Sequence, residues 1–248
     1  MIEGSHRPKR AMVLAAGLGK RLRPITDRLP KPLVPIGGRT LLDRILDRLQ
    51  DAGVEAVVIN LHHLGERIER HLRARLEPPI IFSRENDLLE TGGGVKRALP
   101  HLGETSFFVV NGDVCWLDGL TPALERLADH WRDDRMDALL LLQPMATAIG
   151  YHGSRGDYFM APDGRLRRRH EREVAPFLFA GLQILHPRLF EGSSDGAFSL
   201  NLLYDRAERG GRLWGLRHDG VWYHVGTLAA LEEAEAQFRH MAQSAGKS

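Results

Sequence analysis

A short apolar run over residues 11–15 leads into a glycine-rich turn, Ala16-Gly17-Leu18-Gly19, and then into Lys20-Arg21-Leu22-Arg23-Pro24. No other feature narrows the possible folds as much. A short, uninterrupted apolar run reads as a strand buried on both faces, the situation of a parallel sheet. Leu41, Leu42, Ile45, Leu46 and Leu49 then follow helical spacing, and Gly53 stands where a helix stop is expected. A second buried strand is expected over residues 57–59. Leu64, Ile68, Leu72 and Leu76 recur every four residues with charges between them, which predicts an amphipathic helix. Further strands are expected over 80–82, 107–110 and 138–142, with helices over 94–99 and 122–131 between them. This alternation predicts an α/β fold, a Rossmann-like, doubly wound and mostly parallel sheet whose ligands sit at the carboxyl ends of its strands.

Beyond about residue 150 the pattern shortens. Residues 157–160 and 166–169 flank Ala161-Pro162-Asp163-Gly164, a turn signal for a hairpin. Residues 177–185 read as one long apolar strand, and residues 228–241 as a closing helix. No repeat or linker interrupts 9–245, so one domain is expected there. Its parts are 9–150 and a small β-rich elaboration over 151–245, and residues 1–8 read as a flexible leader. The lone Cys115 excludes an internal disulfide framework and suits a reducing compartment. The net charge of +2 gives no nucleic-acid footprint, and no apolar stretch approaches the roughly 20 residues of a membrane span. A cytoplasmic protein without nucleic-acid or membrane partners is expected, as a monomer or small homo-oligomer.

Glycines after a strand let the backbone approach a polyphosphate, and exposed amides can bind its oxygens. Here Lys20, Arg21 and Arg23 add cations. A P-loop would require Ser or Thr after Lys20, where Arg21 stands, and a dinucleotide fingerprint would require glycine at Leu22. The second element is Pro30-Lys31-Pro32-Leu33. Two prolines restrict the backbone around the lysine, so its ammonium can be presented at little ordering cost. Alone, this would read as a solvated lysine in a turn.

Together the two segments resemble the nucleotidyltransferases that activate sugar 1-phosphates, and the resemblance runs from about Lys9 to Phe238. It implies the nucleotide-diphospho-sugar transferase fold, with 9–150 binding nucleotide and 151–245 binding sugar phosphate. It implies nucleotide contacts at Leu14, Ala15, Ala16, Gly17, Gly19, Lys20, Arg21 and Asn111, and at Thr91, Gly92 and Gly93 in the Leu89–Gly94 loop that seats base and ribose. Asn111-Gly112-Asp113 closes the fourth strand and matches the family's metal-binding aspartate. Asn60, Glu173 and Gly181 fall where the family contacts the sugar phosphate. Arg21, Lys31 and Asp113 are the implied catalytic set. Lys31 would neutralise charge at the α-phosphate, Arg21 would bind the departing pyrophosphate, and Asp113 would hold metal.

One position departs from the pattern. In Tyr223-His224-Val225-Gly226-Thr227, His224 stands where many members carry a second metal-binding aspartate. Mg²⁺ prefers oxygen ligands, whereas imidazole suits softer ions such as Mn²⁺. Three roles are open to His224: direct ligation with altered metal preference, a water-mediated contact, or a phosphate contact in protonated form. The chain is most similar to the short N-acetylmuramate 1-phosphate uridylyltransferases of cell-wall recycling. This implies UTP ahead of GTP, a sugar 1-phosphate as acceptor, and Mg²⁺ or Mn²⁺ as cofactor. A mannose- or heptose-1-phosphate guanylyltransferase is the alternative reading, and a non-catalytic nucleotide-sugar sensor is the second alternative.

Overall fold

A computed structural model describes residues 7–245 apart from His152 and Ser154. Residues 1–6 of the expected leader lie outside the described residues. Pro8 is buried, and Arg7 pairs with Asp129. In chain order the strands are β1 (Arg10–Leu14), β2 (Pro35–Ile36), β3 (Arg39–Thr40), β4 (Ala56–Leu61), β5 (Ile80–Arg84), β6 (Phe107–Asn111), β7 (Cys115–Leu117), β8 (Ala138–Pro144), β9 (Ala148–Ile149), β10 (Tyr158–Met160), β11 (Leu166–Arg168), β12 (Phe177–Leu185), β13 (Leu213–Arg217) and β14 (Val221–Tyr223). The helices are α1 (Leu41–Asp51), α2 (Gly65–Leu72), α3 (Glu90–Leu102), α4 (Ala123–His130), α5 (Leu200–Arg209) and α6 (Leu228–Ala245).

The central sheet runs β5-β4-β1-β6-β12-β8-β13, with the hairpin β10-β11 added beside the start of β12. β5, β4, β1 and β6 are parallel, and β12 alone runs antiparallel to both of its long neighbours, β6 and β8. Buried strands carry apolar side chains on both faces, and the two faces here are sealed by different helices. Val13, Val57 and Ile59 pack against α1, α2 and α4, and Met12, Val58 and Val109 pack against α3 and α5. From β1 the chain winds outward through β4 and β5, then returns to place β6 on the other side of β1. The connections leaving β1 and β6 therefore diverge, which opens a crevice at their carboxyl ends.

Local chemistry sets several boundaries. Thr40 caps α1 by accepting from the Asp43 N–H at 3.0 Å. α2 stops at Leu72, one turn short of the expected Leu76, which is 83% exposed. The approach of Pro78 disfavours helix at Glu77, and Arg75 folds back to bond the Glu77 carbonyl, Asp47 and Gln50. α3 begins at Glu90, ahead of the expected residue 94, because tertiary contacts override the poor helix propensity of its glycines. The N–H groups of Gly92 and Gly93 both donate to the Phe198 carbonyl, at 2.8 and 3.1 Å, satisfying donors that a helix start leaves unpaired. In β12, Gly181 adopts φ +82°, where the register against β8 shifts between Phe179 and Gln183. β7, β14 and β9 form a second small sheet in which Tyr223 pairs with Cys115, two residues past Asp113. Among the described residues no helix is long and apolar enough to cross a membrane.

Candidate active site

The crevice holds a cleft of ≈ 510 Å³ whose floor is the turn after β1. Leu14, Ala15, Ala16, Gly17, Gly19, Lys20 and Arg21 line one side, joined by Asn60 from β4, Thr91 from α3, and Asn111 and Asp113 from the end of β6. The turn is held from behind. The Ala15 N–H donates to Asn60 Oδ1 at 2.7 Å, and the Thr26 hydroxyl donates to the Gly19 carbonyl at 2.8 Å. Gly19 sits at φ +61°, a conformation that suits glycine. The charged ends of Lys20 and Arg21 remain exposed at the mouth.

Lys31 is the buried cation of the site, only 9% exposed, on the single helical turn after Pro30. Its Nζ donates to Asp113 Oδ2 at 2.6 Å, and the Asp113 side chain is 41% exposed. The pair thus shows one face to the cleft while the Lys31 side chain is nearly enclosed, where charge interactions are screened less than in water.

On the far side of Asp113 lies a smaller cavity of ≈ 210 Å³, lined by Lys31, Tyr151, Asp157, Phe179, Gly181 and His224 among others. Arg21, Lys31, Asn111, Asp113 and Gly226 line both cavities. The His224 ring packs edge-on to Tyr151, with centroids 4.7 Å apart, and lies beside Trp222, whose indole N–H is bound to the Ala180 carbonyl. Burial, with Lys31 and Arg21 close by, lowers the His224 pKa to about 4, against a smaller opposing effect of Asp113. The imidazole is therefore neutral near pH 7, which leaves a nitrogen lone pair free to act as a ligand. Burial also raises the Asp157 pKa, although its Oδ2 accepts from the Phe179 N–H at 2.9 Å.

Among the described residues, no group of three or more His, Cys, Asp or Glu is arranged to hold a metal ion. Asp113 and His224 offer a carboxylate oxygen and a neutral nitrogen. That mixed set suits an ion of intermediate character such as Mn²⁺ better than Mg²⁺, with the remaining positions left to water and substrate phosphates.

The structure does not bring every candidate into the crevice. Gly92 and Gly93 face away from it. A β-carbon at Gly93 would stand 2.1 Å from the Gly196 carbonyl oxygen, and one at Gly92 would meet the Phe198 ring at 2.4 Å. Their small size serves close packing of α3 on the 196–198 segment. Glu173 lies outside both cavities and clasps Arg167 through two bonds of 2.7 and 3.1 Å, while it also accepts from the His170 N–H. Arg167 holds its carboxyl down near 2. Asn60 touches the cleft from beneath the turn, with both ends of its amide already occupied. Residues not anticipated individually are Leu88, Glu90 and Ser199 along the first cleft, and Tyr151, Asp157 and Trp222 around the second. Glu90 is a non-glycine residue at φ +58°, a strained conformation of the kind that concentrates at binding sites.

Residues 11–189 match the family model of the MobA-like NTP transferase domain. The chain is 43% identical over 238 residues to an N-acetylmuramate alpha-1-phosphate uridylyltransferase of Caulobacter vibrioides, covering 94% of this chain and 98% of the relative. It is 36% identical over 231 residues to the protein of the same name from Neisseria meningitidis, covering 92% and 97%. The crystal structure of HddC from Yersinia pseudotuberculosis, complexed with GMP-PN, has a similar fold. Its TM-score is 0.74 at 23% identity, over 93% of this chain and 99% of that one.

Proposed function

The chain belongs to the MobA-like NTP transferase family and is a sugar-1-phosphate nucleotidyltransferase; on that premise we propose that it condenses UTP with N-acetylmuramate α-1-phosphate in the cytoplasm. One acceptor phosphate oxygen attacks the α-phosphorus of UTP in line. The new O–P bond forms as the bond to the β-phosphate breaks, giving UDP-N-acetylmuramate and pyrophosphate. The attacking oxygen is already anionic near neutral pH, so the protein supplies position and charge rather than a general base.

The observation that carries this reading is the Lys31–Asp113 pair, set between a glycine-rich turn and an aromatic-walled second cavity. The turn amides, Lys20 and Arg21 bind the β- and γ-phosphates and stabilise the departing pyrophosphate. Lys31 is held against the α-phosphate and the incoming phosphate, drawing down the negative charge that accumulates between them. Leu88, Thr91 and the start of α3 bound the nucleoside end of the cleft. The sugar lies in the smaller cavity, against Gly181 and the Tyr151–Trp222–His224 wall, where Asp157 faces its hydroxyls.

Nucleotidyltransferases of this kind generally use a divalent metal. Asp113 and His224 would hold Mg²⁺ or Mn²⁺, which would neutralise polyphosphate charge. Pyrophosphate release, measured over UTP, GTP, CTP, ATP and dTTP against a panel of sugar 1-phosphates with either ion, tests the proposal. UTP with N-acetylmuramate 1-phosphate should give the highest kcat/KM. A GTP preference with mannose or heptose 1-phosphate would replace the substrate assignment, and nucleotide binding without any turnover would indicate a sensor.

A further inference from the structure

Behind the nucleotide cleft a chain of buried hydrogen bonds joins the two segments that flank it. The Ala15 N–H, where the glycine-rich turn begins, donates to Asn60 Oδ1 at 2.7 Å. Asn60 Nδ2 donates to Glu85 Oε1 at 2.7 Å. The other carboxylate oxygen, Glu85 Oε2, accepts from the N–H of Leu89, the residue that precedes α3, at 3.1 Å. The orientation of the Asn60 amide is fixed by its neighbours, because Ala15 can only donate and the Glu85 carboxylate can only accept. Asn60 and Glu85 are 2% and 5% exposed.

Glu85 is itself anchored on both sides of its backbone. Its N–H donates to the Leu61 carbonyl at 2.8 Å, and His62 Nδ1 donates to its carbonyl at 3.0 Å. A β-carbon at Gly94 of α3 would stand 2.9 Å from Glu85 Oε1 and 3.0 Å from Asn60 Nδ2, so that helix rests directly on the pair. The relay crosses from β1 through β4 to the end of β5, two strand spacings or roughly 10 Å. That is comparable to the distance between the phosphates and the base of one bound nucleotide.

We propose that Glu85 and Asn60 are positioning residues. They set the separation between the turn that holds the phosphates and the Leu88–Thr91 segment that bounds the nucleoside. The inference rests on reading the cleft as the NTP site. Neither residue touches a reacting atom, so the pair acts through affinity for the nucleotide rather than through the rate at saturation. Among the described residues no cation pairs with Glu85, and a buried carboxylate in that position is an unfavourable filler that apolar residues of the same volume would match in packing. What the polar pair supplies is direction, since each of its bonds runs from a defined donor to a defined acceptor.

The polarity of the relay provides its own test. In Glu85→Gln one amide oxygen faces two donors, so either Asn60 or Leu89 loses its acceptor. In Asn60→Asp two carboxylates face each other. Either change alone should raise the KM for UTP about tenfold, leave the KM for the sugar 1-phosphate unchanged, and hold kcat within about threefold. The double variant reverses the central bond. The carboxylate at position 60 then accepts from Ala15 and from the new amide at position 85, whose oxygen accepts from Leu89. It should bring the UTP KM back to within about threefold of wild type.

Several results would overturn the proposal: single variants with unchanged UTP KM, an equal rise in both substrate KM values, or a folded double variant that stays as impaired as the singles. Should a single variant fail to fold, the double is read alone. A folded double with near-wild-type UTP KM supports the relay, and one with a tenfold higher KM refutes it. Wild-type protein that turns over no NTP would defeat the functional reading, whereas active wild type with indifferent variants defeats only the relay.

Discussion

The two sides of the crevice are built from different materials. Behind the first cleft, the proposed nucleotide site, the contacts are backbone to backbone or buried amide to carboxylate. Asn60 and Glu85 are almost fully enclosed, and α3 is seated so closely on residues 196–198 that glycine alone fits. On the other side, at the β10–β11 hairpin outside both cavities, long side chains clasp each other near the surface. Arg167 grips Glu173, Arg168 grips Asp205, and Arg167 lies over the Phe159 ring at 4.3 Å. Interiors packed to this density resist change, whereas exposed ion pairs contribute little stability and exchange partners readily. The difference leaves a rigid bed behind the first cleft and a more adaptable surface beyond the second cavity.

Replacing Lys31, the buried one of the two cations common to both cavities, should break that division most severely. Lys31→Ala should lower kcat by about 10²–10³-fold with either substrate varied, while circular dichroism reports an intact fold. A rate near wild type would take Lys31 out of the mechanism. Next comes packing on the rigid side. Gly93→Ala forces a β-carbon against the Gly196 carbonyl and should cost about 2–3 kcal/mol of stability, read as a drop in Tm of several degrees. An unchanged Tm would show that this side can give way after all.

A smaller effect is expected at the seam between the sides. His224→Asp should move the ratio of Mg²⁺- to Mn²⁺-supported kcat/KM several-fold toward Mg²⁺, and an unaltered ratio would count against direct ligation. The smallest effect is expected on the surface. Glu173→Gln should leave the KM for the sugar 1-phosphate within about twofold, since exposed pairs of this kind are worth little. The Glu173 carboxyl is held near 2, so its pairing with Arg167 contributes above the ordinary value of 4.5 and fades as pH falls from there toward 2. Melting curves of variant and wild type should therefore differ slightly near neutral pH and converge in acid. A large rise in KM would bring Glu173 back into the acceptor site.

The same contrast explains what could be read from the chain beforehand. The turn after β1, Pro30-Lys31-Pro32 and Asn111-Gly112-Asp113 are local signals, each complete within a few residues, and the first and last are placed by the strands they follow. The parallel strands announce themselves because burial on both faces leaves no alternation to misread. Glu85 carries no such signal, because what makes it a partner of Asn60 is the register of β4 against β5, in which Asn60 lies opposite Ser83. Gly92 and Gly93 of α3 have an obvious small-residue signature, but the surface they approach is far along the chain. The Leu200 N–H reaches Thr91 across 109 positions, and nothing near residue 92 points to it. The glycines therefore suggest a seat for a ligand when their close neighbour is the protein's own backbone.

The His224 imidazole also places a demand on its surroundings. A β-carbon on residue 226 would stand 2.4 Å from two of its ring atoms, so the ring can rest where it does only above a glycine. Positions 224 and 226 are thus sterically coupled. Any side chain at 226 would push the imidazole off the wall it forms with Tyr151 and Trp222, so a substitution two residues away would act on His224 without touching it.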